Sequence, residues 1–151
     1  MDTSPLEIQF ELIGSGWAKF TIVTNKGFTT CEVSYIYDSL KDLIIGAIQL
    51  TTDSSAKTIF MNEPGETVLL LNKLNADDIK LSFYSCADWD MDLKQCELRF
   101  ETVTKTQRYL SEISSMANVI MDTYGESEYH EKWVQHPFPI EEYKKLKSLL
   151  D

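Results

Sequence analysis

Residues 28–48 read FTTCEVSYIYDSLKDLIIGAI, and the apolar spacing changes partway through. FTTCEVSY follows a turn and is rich in β-branched and aromatic residues, as a strand requires. From Leu40 onward the apolar residues Leu40, Leu43, Ile44, Ala47 and Ile48 fall at i, i+3, i+4, i+7 and i+8, one face of an amphipathic helix. Asp38 or Ser39 can cap its N-terminus, and Asp42 places a negative charge in the first turn, where the helix dipole favours it. A strand block gives way to a helix here, and fold class turns on how often that happens along the chain.

Before this point there are only strands. LEIQFEL alternates cleanly, with Leu6, Ile8, Phe10 and Leu12 on one side and Glu7, Gln9 and Glu11 on the other. A turn at Gly14–Gly16 leads into WAKFTIV, and Asn25-Lys26-Gly27 leads into the third strand, which makes an antiparallel meander. After the helix come four further strands: AKTIFMN, TVLLLNKL, IKLSFYSC and QCELRFETV. The first two are joined by Glu63-Pro64-Gly65-Glu66, which has Pro and Gly where a type II turn wants them. A second helix is expected from Thr104, where Thr104 and Gln107 have capping-box spacing, with Leu110, Ile113, Ala117, Ile120 and Tyr124 as its apolar stripe and Gly125 as its stop. Pro139 opens a closing helix carrying Ile140, Tyr143, Leu146 and Leu150. Strands in blocks, not alternating with helices, predict an α+β fold: an antiparallel sheet of six to seven strands with two to three helices packed on one face, the other face being largely polar. The 151 residues suit a single domain, 1–151.

Charge narrows the function. Fourteen Lys and Arg stand against 24 Asp and Glu, a net charge of −10. Such a chain repels phosphate backbones and anionic membranes, so neither nucleic acid nor membrane is an expected partner, whereas a basic protein is. No apolar run is long enough to span a bilayer, and MDTSPLEIQFEL lacks the basic and apolar regions of a signal peptide, so the expected compartment is the cytoplasm.

The most concentrated acidity lies in CADWDMDLKQC, residues 86–96. Asp88, Asp90 and Asp92 match the first three ligand positions of an EF-hand loop. The motif then needs glycine and a bidentate glutamate where this chain has Leu93 and Arg99, so calcium binding is not expected. An acidic hairpin loop around Trp89 remains, either a solvated turn, a partner-binding tip, or a tryptophan folded back over the sheet edge. The candidate partner-binding residues are Asp88, Trp89, Asp90 and Asp92, with Glu97 and Glu101 on the adjoining outer strand face.

Cys31, Cys86 and Cys96 form no CxxC pair. If Ile79, Leu81 and Phe83 point inward, Cys86 points outward; if Leu98 and Phe100 point inward, so does Cys96. Strand alternation therefore predicts no disulfide unless a bulge intervenes, with Cys31 and Cys96 as small packing residues and Cys86 an unpaired thiol. Catalytic motifs are absent from the sequence: there is no GxSxG turn, GxGxxG or Walker loop. No metal, cofactor or catalytic residue is expected, although His130 or His136 beside a carboxylate is the arrangement an enzyme would use. Glu126–Glu131 reads as a solvated turn, and Tyr124, Tyr129, Trp133 and Phe138 as packing for the last helix.

Four stretches, GWAKFTI, SYIYDSLKDLIIGAIQL, EPGE and YGESEYHEKWVQHPFP, together resemble a group of small bacterial immunity proteins found beside secreted polymorphic toxins, those of contact-dependent growth inhibition systems above all. The resemblance extends over residues 16–146. It implies a cytoplasmic protein that binds and neutralises one toxin domain stoichiometrically, without catalysis, and it carries over no site residues. A basic nuclease toxin would suit the net charge. The alternative from a different class is a small intracellular adaptor or secretion chaperone with a non-toxic partner.

Overall fold

The fold is given by a computed structural model that describes residues 6–62 and 65–151. The expected turn at Glu63-Pro64 therefore lies outside the described residues. Strands β1 (Leu6–Gly14), β2 (Trp17–Thr24) and β3 (Gly27–Ser34) form the predicted meander, and α1 (Ser39–Gln49) follows, with the Asp38 carboxylate accepting from the Lys41 amide. Next come β4 (Ser55–Met61), β5 (Glu66–Lys73), β6 (Asp78–Cys86) and β7 (Glu97–Lys105), then α2 (Thr106–Trp133) and α3 (Ile140–Leu150).

The seven strands do not make one sheet. They form a three-stranded sheet, β1-β2-β3, and a four-stranded sheet, β4-β5-β6-β7, each antiparallel. The reason lies at the edge of β4. There the Ile59 N–H donates to Asp42 Oδ2 (3.2 Å) and the Ile59 carbonyl accepts from Ser39 Oγ (2.7 Å). Two side chains at the start of α1 thus satisfy main-chain groups that a neighbouring strand would otherwise use. β3 approaches the other sheet through the Asn62 amide instead, which donates to the Glu32 carbonyl at 2.5 Å.

Both sheets nevertheless share one core. Phe20 of β2 stacks on Phe60 of β4 with ring centroids 4.5 Å apart, and Phe83 of β6 lies 6.2 Å from Phe20. α1 packs over β4, α2 runs beside β1, and α3 closes against both helices. The outer face of the first sheet carries Glu7, Gln9, Glu11, Lys19, Thr30 and Glu32, together with Trp17, Val23 and the exposed Phe28. The outer face of the second is mixed, with Val68, Tyr84 and Val103 beside Lys80 and Glu101.

Two expectations about α2 are corrected. Thr104 does not cap it, because β7 runs two residues further; Thr104 pairs with Ile79 and is buried, and the first helical amide, Thr106 N–H, donates to the Asp77 carbonyl at 2.8 Å. Nor does the helix end at Gly125. That residue takes φ +70°, which glycine adopts without strain, and breaks the helix, but the chain resumes helical geometry to Trp133. The supposed solvated turn around Glu126–Glu131 is therefore helical. Burial explains the restart: Tyr129 and Trp133, one turn apart, are both fully buried, Tyr129 edge-on to Phe138 (5.4 Å) and Trp133 edge-on to Phe10 (5.8 Å). The aromatic cluster packs the end of the chain onto the core, as its sequence suggests.

Candidate functional site

The site begins with one extra residue in β7. Phe83 pairs with Phe100, but Tyr84 pairs with Leu98, so Arg99 is bulged out of the ladder. A bulge reverses the strand's alternation. Phe100 stays inward while Leu98 turns outward and is 47% exposed, and Cys96, two residues further, turns outward with it. Cys86 already faces that way on β6, and the two sulfurs are bonded across a Cα–Cα distance of 4.6 Å. The prediction of two unbridged cysteines on opposite faces is thus overturned by the bulge. Cys86 is buried and bonded, not a free surface thiol, and Cys96 does not pack in the core. Cys31 remains free, packed against the core, and burial pushes its thiol up to about 12, so it stays protonated and makes a poor nucleophile.

Between the bonded cysteines the chain folds back onto Gly65 and Glu66 at the start of β5 instead of projecting as a free tip. The Trp89 indole N–H donates to the Gly65 carbonyl (2.8 Å), and the Asp90 N–H donates to Oε1 of the buried Glu66 (2.9 Å). Gly65 makes this approach possible: at φ +83° a Cβ there would lie 2.5 Å from the Cys86 carbonyl oxygen. Asp88 accepts from the Trp89 N–H (2.8 Å), and Asp92 caps the short 3-10 turn Leu93–Gln95 by accepting from the Lys94 N–H (3.0 Å). Trp89 stays 45% exposed, and Asp88, Asp90 and Asp92 are exposed around it. The tryptophan is folded back onto the end of the second sheet, at the start of the interior strand β5, and is still presented to solvent. The sequence offered no sign of Gly65 and Glu66 as anchors beyond their place in the EPGE turn.

The two strand glutamates are not brought together. Glu101 pairs with Ser82 and Glu97 with Ser85, three residues apart on the unbroken strand β6, so the bulge sends them to opposite faces. Glu101 accepts from Ser82 Oγ (2.9 Å) beside Lys80 (3.9 Å), whereas Glu97 pairs with Arg99 at 3.2 Å. Glu101 shares the loop's face of the sheet; Glu97 does not.

Both histidines lie beside carboxylates. His136 donates from Nε2 to the Tyr35 carbonyl (2.8 Å), with Nδ1 3.8 Å from Asp38, and so ties the α2–α3 linker to the start of α1. His130 is exposed over a shallow depression beside Glu126 and Glu131. Among the described residues no three His, Cys, Asp or Glu side chains converge as ligands for a metal ion, and no helix is long and apolar enough to cross a membrane. Comparison of the chain with protein-family models, with characterised proteins and with solved structures found no match.

Proposed function

We propose that this chain is a toxin-neutralising immunity protein, which captures a basic toxin domain, a nuclease above all, through the Asp88–Asp92 loop and blocks it stoichiometrically without chemistry of its own. The observation that carries this reading is Trp89. A half-exposed aromatic ring whose indole N–H is already fixed to Gly65, ringed by three exposed carboxylates, is a preorganised anchor for a cationic surface. Glu101 lies on the same face, beside Lys80, and Glu97 falls on the other. The net charge of −10 raises the rate of encounter with a basic partner, and the loop supplies the contact that holds it. The proposed place of action is the cytoplasm. The Cys86–Cys96 bond is of a kind that oxidising compartments favour, so trapping free thiols in rapidly quenched cells is part of the test.

Co-expression with the toxin encoded beside it should protect cells, and the purified proteins should form a one-to-one complex. Replacing Asp88, Asp90 and Asp92 together by Asn should leave the fold intact and weaken capture most at low salt. Trp89→Ala should cost about 2 kcal/mol or more of binding. Full protection and unchanged affinity in both variants would place the interface elsewhere, and absence of any complex would remove the reading.

A further inference from the structure

We propose a second docking site that does not depend on the loop: the groove between β1 and α2, which takes an extended basic segment of a partner protein as an added strand. β1 is an edge strand, paired on one side with β2. On its other side the Leu6 carbonyl accepts from Arg108 (3.1 Å) and the Leu12 carbonyl from the Tyr124 hydroxyl (3.4 Å), both from α2. Strand alternation turns the N–H and C=O groups of Ile8 and Phe10 to this same edge, and among the described residues nothing caps them. Among the described residues the edge is thus capped at its two ends and uncapped in the middle, where Ile8 and Phe10, each 4% exposed, lie at the foot of the groove beside α2.

The opening has the shape and charge of a strand slot. A groove of about 350 Å³ lies there, with the Ile8 and Phe10 backbone as one wall and Met116 and Val119 of α2 as the other; Val119 is 61% exposed. Glu7 and Glu11 flank it on β1 and Glu112 on α2; among the described residues Arg108 lies 3.7 Å from Glu112 and Lys19 pairs with Glu11 across β1 and β2, so three carboxylates stand against two cations. A strand laid beside β1 would form main-chain hydrogen bonds to Ile8 and Phe10. Its residues opposite Ile8 and Phe10 would point towards Met116 and Val119, and those opposite Glu7 and Glu11 would point outward onto the glutamates. The preferred sequence therefore alternates basic and apolar residues.

The probe is a short peptide alternating Lys and Val. Its controls are a peptide of the same composition with the lysines in one block and an alternating Glu-Val peptide. Fluorescence anisotropy should show the alternating Lys-Val peptide bound best and the Glu-Val peptide unbound, and NMR hydrogen exchange should show slowed Ile8 and Phe10 amides in the complex. Glu7→Lys with Glu11→Lys, both on the exposed face, should weaken binding by about tenfold. Equal binding of the block peptide without protection of Ile8 and Phe10 would mean non-specific charge attraction and would overturn the proposal. So would loss of binding in the Asp88, Asp90 and Asp92 triple variant, which would put the peptide on the loop.

Discussion

Asp42 sits in the first turn of α1, where the helix dipole favours its charge, and also accepts the Ile59 amide at the edge of β4. Burial pushes its pKa up and the neighbouring Asp38 adds to the shift, while the Ile59 amide and the Tyr37 hydroxyl oppose it. Asp38 is raised by burial as well, with His136 pulling it back. A carboxyl that holds its proton more tightly in the folded state stabilises the fold below the ordinary carboxylate range, near about 3.9, and that contribution is lost as pH rises through the folded value. Asp42→Asn keeps an oxygen for the Ile59 amide and discards the charge, so at neutral pH it should stay within about 1 kcal/mol of wild type. Asp42→Ala orphans that amide and should lose about 1–3 kcal/mol. Urea unfolding at acidic and neutral pH measures both, and wild type should lose ground to Asp42→Asn as pH rises. A wild type that gains instead would contradict the raised pKa. The dipole role of Asp42 is legible from its place three residues after Ser39. Its edge-capping role is not, because Ile59 is 17 residues away and only folding brings it near.

Loop 87–95 shows how one residue can re-aim an element. Counting alternate residues back from Phe100 is sound until Arg99, and sequence gives no warning that Arg99 is bulged: a bulge is chosen by how the partner strand twists and pairs, not by the bulged residue alone. Once present, it aligns Cys86 with Cys96 and clamps the loop at its base. Closing a ten-residue separation by chain-entropy reasoning contributes about 2–3 kcal/mol, so the Cys86→Ser/Cys96→Ser double variant should lose roughly that much. Amide exchange between Ala87 and Gln95 should quicken more than exchange in β5 or α1. A loop that exchanges as slowly without the bond would mean that the Trp89 and Asp90 hydrogen bonds alone hold it. In α2 the same logic runs the other way: the glycine signal at Gly125 correctly marks a break, but the buried pair Tyr129 and Trp133 makes the chain resume its helix.

At the scale of the molecule, the two sheets are joined by side chains and not by a ladder. Among the described residues the Phe20–Phe60 stack, at 4.5 Å and backed by Phe83, is the closest ring pair between them. Phe60→Ala should cost about 3–5 kcal/mol and separate the sheets' hydrogen exchange, whereas Phe28→Ala, on an exposed residue, should change stability little. Equal losses in denaturant unfolding would argue against a shared core. The order of elements, the strand faces of β1, β2 and β6, the helix stripes and the acidic loop's position are all carried by local periodicity and turn residues, which act over a few positions and can be read directly. The division into two sheets, the bulge at Arg99, the Cys86–Cys96 bond, the split of Glu97 from Glu101 and the capping of the β1 edge at Leu6 and Leu12 were decided by tertiary structure. The sheet division and the β1 edge depend on which main-chain groups a distant residue satisfies, Ser39 and Asp42 at β4 or Arg108 and Tyr124 at β1, while the bulge, and the bond and glutamate split that follow from it, depend on how β7 pairs with β6; both exist only once the chain has folded.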